Sequence, residues 1–284
     1  MTVASSLIRV RTLTFLYAVF VLGASAETPP EIRDLVRKSL SGLNSEDERR
    51  RDWVYAMRQD RKEFDSSRKL KSHSSFVIRK EWVDGIQVTR SIERDGKPVS
   101  EDMKKIEDDQ IKARVAELKN LTPEQRRAQQ EQGSRRDKEQ DAWIQEFPEA
   151  LDYRPAGEEM VNGRPALLFD CSPRPGYRSR NLRARVFEKM RGRVWIDKAE
   201  SEMVKADAET FETVTIGFGI IGRIEKGTRF SLTRRRVADR IWFTDSQFLK
   251  FDVKYLIVKS MHREVRWEQY DFRPRPAVQA VAGR

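Results

Sequence analysis

Six residues, Gly217-Phe218-Gly219-Ile220-Ile221-Gly222, match the G-x-G-x-x-G pattern of a dinucleotide-binding loop. Such a loop binds pyrophosphate where a helix begins directly after it, because the N–H groups of the helix start then meet the phosphates. Here residues 223–228 are mostly polar, and a strand pattern follows at 229–237. We therefore predict no dinucleotide and no other cofactor. The pattern favours an apolar loop between strands, whose side chains could touch a membrane or a ligand: Phe218, Ile220 and Ile221.

Histidine, cysteine and carboxylate side chains form no pattern typical of a catalytic or metal site. His73 lies in a polar run, and His262 lies on the charged face of a strand pattern, without the neighbours that zinc or Ser–His–Asp catalysis needs. The one cysteine, Cys171, excludes an internal disulfide, and it alternates with Leu167 and Phe169 as a buried thiol would. We predict no metal site and no enzyme activity. An exported hydrolase with unrecognised carboxylates is the alternative.

Positive charge is concentrated between Cys171 and Arg193, where eight basic residues face a single acidic one, Glu188. Arginine side chains bind phosphate and carboxylate groups through two parallel hydrogen bonds. We predict that this segment contacts an anionic membrane surface or an acidic partner. The alternative is a solvated basic loop that aids solubility. The candidate contact residues are Arg174, Arg178, Arg180, Arg183 and Arg185.

The first 26 residues have the order of a cleavable export signal. Arg9 and Arg11 precede ten uncharged, mostly apolar residues from Thr12 to Val21, and Ala24-Ser25-Ala26 supplies a cleavage site. A membrane anchor would need about 20 apolar residues, so we predict cleavage after Ala26 and a soluble periplasmic or secreted chain. Cleavage would lower the net charge from +11 to +9. Export makes nucleic acid an improbable target for this charge and favours anionic lipid or acidic partners.

The elements that must position these residues are mainly strands. Ile32, Leu35, Val36, Leu40 and Leu43 have helical spacing after Thr28-Pro29-Pro30-Glu31, which resembles a capping box. Strand patterns then flank the dipeptides Asp84-Gly85 and Asn162-Gly163, which are typical of tight hairpins. Alternation with one polar face, as in 251–257 and 262–270, predicts an antiparallel sheet.

A polar insertion, residues 100–146, interrupts the strands. It carries a thin apolar stripe of Met103, Ile106, Val115 and Leu118, and Thr122-Pro123-Glu124-Gln125 resembles a second capping box. We predict a charged helical hairpin that is either solvated or used to dock a partner. Residues 27–284 are predicted to form one domain, with a flexible tail at 273–284.

The stretch Arg191-Gly192-Arg193-Val194-Trp195-Ile196-Asp197-Lys198, with the strand pattern at 202–209, resembles a paired-strand motif of exported bacterial proteins. These belong to the outer-membrane lipoprotein-sorting (LolA/LolB-like) superfamily, and Asn162-Gly163-Arg164-Pro165-Ala166 fits its preceding hairpin. The resemblance covers about residues 28–272. It implies an α+β, mainly antiparallel fold: a curved half-open β-barrel with helices closing its mouth around an acyl chain. The charged insertion is longer than a simple carrier needs.

One strand offers independent support for a cavity. At 203–211 one face carries Val204, Ala206 and Ala208, and small apolar residues leave room that large ones would fill. An ordinary packed core is the alternative. We predict a carrier for lipid or acylated protein; a non-enzymatic envelope sensor or docking module is the second possibility. The remaining predicted lining residues are Phe230, Leu232, Phe251, Val253, Tyr255, Val265 and Trp267.

Overall fold

The computed structural model describes residues 27–216, 222–255 and 259–276. The helices are α1 (Pro30–Asn44), α2 (Glu46–Arg50), α3 (Glu101–Lys119), α4 (Pro123–Asp141) and α5 (Phe147–Ala150), with 3₁₀ turns at Ile144–Glu146 and Ala184–Lys189. The strands are β1 (Trp53–Phe64), β2 (Leu70–Val83), β3 (Ile86–Arg94), β4 (Lys97–Pro98), β5 (Leu151–Val161), β6 (Arg164–Pro173), β7 (Met190–Asp197), β8 (Met203–Thr210), β9 (Val214–Ile216), β10 (Gly222–Ile224), β11 (Arg229–Ala238), β12 (Ile241–Tyr255) and β13 (Lys259–Pro274).

All described strands belong to one antiparallel sheet. Its order is β4-β3-β2-β1-β13-β12-β11-β8-β7-β6-β5, with β10 pairing to β12 and to β9 beside this path. Among the described strands, β4 and β5 stay unpaired with each other, so the sheet is not closed into a barrel. The predicted fold class, an α+β protein built on a curved half-open barrel, is confirmed.

Two hairpin turns follow directly from their dipeptides. Asp84 and Gly85 have φ values of 51° and 81°, and Asn162 and Gly163 have 49° and 76°. Two successive residues with positive φ make the turn whose twist matches that of the flanking strands, and aspartate, asparagine and glycine tolerate this conformation best. Both predicted hairpins are confirmed.

Helix α1 packs its apolar face onto the sheet, but its predicted capping box is wrong. The helix begins at Pro30, and Pro29 in the N-cap position has no side chain that could cap it. The Thr28 hydroxyl instead donates to Asp152 at 3.0 Å and accepts the backbone N–H of Tyr153 at 2.7 Å. Thr28 therefore joins the start of the helix to β5.

The polar insertion folds as the predicted helical hairpin. Thr122 and Gln125 make both bonds of a capping box, backbone N–H to Oε1 at 2.9 Å and backbone N–H to Oγ1 at 3.2 Å. The predicted apolar stripe is only partly correct: of its members, Val115 is buried against Val88 of β3, together with Ile111, which the prediction did not include. Met103 and Ile106 are instead about half exposed, at 48% and 52%. In the part of the chain that the structure describes, no helix is long and apolar enough to cross a bilayer.

Helix α2 and the end of β13 differ from the sequence-based expectation. The helical spacing of the sequence ends at Leu43, but residues 46–50 form a further helical turn whose Glu46 is buried. Strand β13 continues to Pro274, inside the predicted tail, and the Arg275 guanidinium lies 3.8 Å from the centroid of the Trp82 ring. Residues 277–284 of the tail and the predicted export signal, 1–26, lie outside the described residues.

Candidate functional site

An apolar cavity of about 580 Å³ lies between the sheet and the helices. Its floor comes from β7, β8, β11 and β12, and its roof from α1, α2, α5 and the two 3₁₀ turns. This volume is within the range of about 300–1,000 Å³ that is typical of small-molecule sites. The floor includes Met203, Ala206, Ala208, Phe230, Leu232, Leu249, Phe251 and Val253, and the roof includes Leu40, Leu43, Trp143, Phe147, Val186 and Phe187.

The sheet register places small residues beneath the cavity. Gly192, Ala208 and Phe230 are successive cross-strand partners on β7, β8 and β11. A Cβ atom on Gly192 would lie 2.1 Å from the backbone oxygen of Asp207 and 2.8 Å from the Ala208 Cα. Only glycine therefore permits this close approach of β7 and β8. The space above it is bounded by the methyl group of Ala208 instead of a larger side chain.

Six of the ten predicted lining residues border this cavity: Ala206, Ala208, Phe230, Leu232, Phe251 and Val253. Val265 and Trp267 are cross-strand partners of the lining residues Leu249 and Gln247, so they share the inner face but lie one strand beyond the cavity. The Trp267 indole donates to Gln59 Oε1 at 2.8 Å. The side chain of Tyr255 lies outside the described part of the structure.

Val204 does not line the cavity, because the strand is irregular at this point. Lys205 pairs with Trp195 and Met203 with Ile196, so Val204 is the extra residue of a β-bulge. Its side chain packs in a separate buried cluster with Trp195 and Trp242, while Met203 joins the cavity lining. The alternation on which the prediction depended is broken by this bulge.

The aromatic part of the roof could not be predicted from the sequence. Trp143 stacks on Phe187 with ring centroids 5.4 Å apart, and Phe147 meets Phe187 edge-on at the same distance. Trp143 lies at the end of the predicted polar insertion, and Phe187 lies within the predicted basic segment. An aromatic residue inside a charged segment could have indicated a buried position, since aromatic side chains supply large buried surfaces.

A buried arginine, Arg234 of β11, ties the roof to the floor. Its five N–H donors are all used: Nε to Glu46 at 3.0 Å, Nη1 to Glu202 at 2.8 Å and to the Met203 carbonyl at 3.0 Å, and Nη2 to the carbonyls of Gly42 and Trp242 at 3.3 and 3.2 Å. Burial lowers the pKa of Arg234, and the hydrogen bond with Glu202 opposes that shift. The role of Arg234 could not be predicted, because nothing in the neighbouring sequence marks this arginine as buried.

An ion pair joins the two stretches on which the sequence resemblance rests, the hairpin at 162–166 and residues 191–198. Arg164 donates to both oxygens of the buried Asp197, at 2.7 and 3.1 Å. Asp197 also accepts the backbone N–H groups of Ala199 and Glu200 at 3.0 and 2.8 Å. Burial raises the pKa of Asp197, but the Arg164 hydrogen bond and these N–H donors outweigh it, so the pKa lies below its ordinary value.

The predicted basic contact residues form an exposed, ordered loop. Arg178, Arg180, Arg183 and Arg185 are exposed, whereas Arg174 is partly buried and pairs with Glu27 at 2.5 Å. Leu182, 44% exposed, lies among the four. Arg174 therefore serves a structural ion pair, and the other four guanidiniums face solvent.

Glu146 holds this loop in place. Its carboxylate accepts the Tyr177 and Ser179 hydroxyls, both at 2.6 Å, and the Asn181 N–H at 3.0 Å. Burial raises the pKa of Glu146, but the hydrogen bonds from these donors lower it by a larger amount. The pKa of Glu146 therefore lies below its ordinary value. Burial and the bond to this carboxylate raise the pKa of Tyr177 to about 12.

The remaining candidates for chemistry have structural roles. His262 was predicted on an exposed charged face, but it is buried, with Nδ1 2.8 Å from Asp252 Oδ1. Cys171 is buried in the core, and burial raises the pKa of its thiol well above the ordinary range. Of the G-x-G-x-x-G segment, 217–221 lie outside the described residues. Gly222 begins strand β10 and no helix follows, in agreement with the strand connection that the sequence predicts.

No protein-family model and no curated protein matches the sequence. The chain is similar to the solved structure of a DUF1329 family protein from Desulfovibrio piger ATCC 29098, at 12% identity and a TM-score of 0.32, over 87% of this chain and 93% of that one. It is also similar to an outer membrane lipoprotein-sorting protein domain from Vibrio parahaemolyticus, at 10% identity and a TM-score of 0.27, over 85% and 95%. A third similar structure, from the Pseudomonas aeruginosa MucA/MucB complex, has 12% identity and a TM-score of 0.21, over 87% and 100%.

Proposed function

We propose that this chain is an exported carrier that holds an acyl chain of a lipid or an acylated protein in its apolar cavity. The observation that carries the proposal is the cavity itself, about 580 Å³ in volume and floored by small and apolar side chains. Transfer of each CH₂ group from water into such an environment stabilises the complex by about 0.8 kcal/mol. A chain with many methylene groups can therefore be held by apolar burial alone, without a chemical reaction.

The test is uptake of an acyl compound by the mature protein, purified without detergent. Native mass spectrometry, combined with organic extraction, should show a bound acyl species or uptake of added palmitate or monopalmitoylglycerol. Ala208→Leu would place three extra carbon atoms above Gly192 and should reduce uptake strongly. Ala113→Leu, the same change at an exposed position of α3, should leave uptake unchanged. Failure of both compounds to bind would overturn the carrier proposal.

A second candidate, a protein-docking module, is favoured by one observation. Met103 and Ile106, on the same side of α3 and about half exposed, provide an apolar surface on a helix that is otherwise highly charged. In this case Met103→Ser/Ile106→Ser should abolish capture of a protein partner while acyl uptake stays unchanged. Loss of acyl uptake in this double variant would contradict an independent docking role.

The exposed basic loop fits the carrier proposal as a membrane contact. Four guanidiniums and the Leu182 side chain project from a loop whose next residues, Val186 and Phe187, line the cavity. Arginines near an anionic bilayer contribute about 1 kcal/mol each. Contact through this loop would bring the roof of the cavity to the lipid surface.

A further inference from the structure

On the inner face of the sheet, the apolar residues of the cavity floor are followed by charged residues on the next strands. Leu249 of β12 lines the cavity, its cross-strand partner on β13 is Val265, and the partner of Val265 on β1 is Arg61. One row further along, the lining residue Phe251 pairs with Arg263. Cross-strand partners share a face of the sheet. Arg263 and Arg61 therefore lie on the cavity side, one strand and two strands, respectively, from its apolar floor.

The two arginines differ in their counter-charges. Arg263 donates to Glu63 at 2.5 Å, and its guanidinium carbon lies 5.9 Å from the centroid of the Phe251 ring. Arg61 has no carboxylate within ion-pair distance in the part of the chain that the structure describes. The β2 residues opposite Arg61 and Glu63 are Ser74 and Ser72, which carry no charge. This group of residues therefore retains one uncompensated positive charge.

Both guanidiniums also keep unused hydrogen-bond donors. The Nε atoms of Arg61 and Arg263 are each buried without an acceptor among the described residues. Buried donors are nearly always satisfied in proteins, because an unmade bond costs about 1–3 kcal/mol. An anionic oxygen would accept these hydrogen bonds and neutralise the excess charge together. Arginine suits this task because its planar donors match the oxygens of a carboxylate or a phosphate.

We infer that the cavity binds a single-chain anionic amphiphile, with its acyl chain on the apolar floor and its carboxylate or phosphate group at Arg61 and Arg263. This inference rests on the proposed carrier function and adds the class of headgroup. The stacking of Arg263 near Phe251 places the charged group where the apolar lining ends, so one molecule spans both surfaces. A neutral headgroup could accept hydrogen bonds from the Nε donors but would leave the Arg61 charge uncompensated.

The test compares ligands that share an acyl chain and differ in charge. Affinities for palmitate, for a lysophosphatidic acid and for monopalmitoylglycerol are measured by titration calorimetry at pH 8. The two anions should bind at least about tenfold more tightly than the glycerol ester, which equals about 1.4 kcal/mol. In Arg61→Gln/Arg263→Gln this preference should disappear, with the affinity for monopalmitoylglycerol unchanged. Arg61→Lys/Arg263→Lys should retain part of the preference.

Arg266 provides the matched control. It is on the same strand as Arg263, but its guanidinium lies on the other face, over Phe248 at 5.5 Å. Arg266→Gln should leave all affinities unchanged, and urea unfolding should show that each variant is folded. Acetate and inorganic phosphate, which lack the chain, should not bind measurably.

The outcomes separate the two proposals. Equal affinity of wild-type protein for the anionic and neutral ligands would overturn the headgroup assignment while the carrier function stands. Binding of acetate or phosphate as tightly as palmitate would show an anion site that does not use the cavity, which also overturns it. Absence of binding by all three acyl compounds would overturn the carrier function itself.

Discussion

Arg234 of β11 donates its Nε–H to the carboxylate of Glu46 in α2 at 3.0 Å, and both side chains are buried. The Glu46 carboxylate also accepts the Thr244 backbone N–H at 2.6 Å. A helical turn before the first strand is thus fixed to two strands near the end of the chain. This pair holds α2, which is part of the cavity roof, against the sheet.

Replacing Arg234 with methionine should destabilise the protein by about 3–5 kcal/mol, because two carboxylates would lose the buried guanidinium that they share. Glu46 would keep only its ion pair with Arg50, and Glu202 would lose its partner on β11. The measurement is the free energy of unfolding from urea titration. Arg229→Met is the control, since Arg229 on the same strand is exposed and its partner Glu209 keeps a second ion pair with Arg191. That change should cost less than about 1 kcal/mol. Equal effects of the two substitutions would contradict the structural role of the pair.

Gly192→Ala should destabilise the sheet and reduce acyl binding together. The added Cβ would overlap with the backbone of β8, and relief of such overpacking typically costs about 1–3 kcal/mol. Gly133→Ala in α4 meets no atom within 4 Å and should stabilise the protein by up to about 1 kcal/mol. Urea unfolding and palmitate titration of both variants make the comparison. A neutral effect at Gly192 would show that β7 and β8 separate easily.

Asp197 should make stability depend on acid pH. Because its folded-state pKa lies below the unfolded value of about 3.9, its contribution is complete above that pH and is lost as pH falls towards the folded pKa. Asp197→Asn should lower the free energy of unfolding by about 2 kcal/mol at pH 7 through the lost Arg164 ion pair. The difference between variant and wild type should shrink below about pH 4. A difference that stays constant from pH 7 to pH 3 would contradict this assignment.

The basic loop should bind anionic vesicles. Replacing Arg178, Arg180 and Arg183 with serine should weaken binding to phosphatidylglycerol vesicles by about 3 kcal/mol, or roughly a hundredfold, at about 1 kcal/mol for each charge. The corresponding triple lysine variant keeps the charge and should bind nearly as well as wild type. Vesicle flotation at low and high salt measures both. Intact binding of the serine variant would exclude the loop as the membrane contact.

Local sequence was sufficient to predict the hairpins, helix α1 and the helical hairpin of the insertion. The Asp84-Gly85 turn depends on the φ values of two residues, and the Thr122–Gln125 capping box depends on hydrogen bonds within four residues. Both are set by the residue types at those positions. Six lining residues could also be predicted, because alternation along β8, β11 and β12 is regular there.

Features that depend on distant partners could not be predicted. The bulge at Val204 reverses one side chain without any glycine or proline to mark it. His262 looks exposed in its own strand, and its burial depends on Asp252 in a neighbouring strand. Arg234 and Glu46 are 188 positions apart in the sequence, so the residues around either one do not indicate that the two form a pair.

That separation also governs the order in which the protein can fold. Strand β1 lies in the interior of the sheet, yet one of its neighbours is β13, the last of the described strands. A chain that emerges from its N-terminus makes α1, α2 and β1 long before Arg234 and β13 exist to hold them. Contacts of such high sequence separation make folding slow, because the loop between them must close first. Glu46 of α2 and one edge of β1 therefore stay without their partners until almost all of the described chain has been delivered.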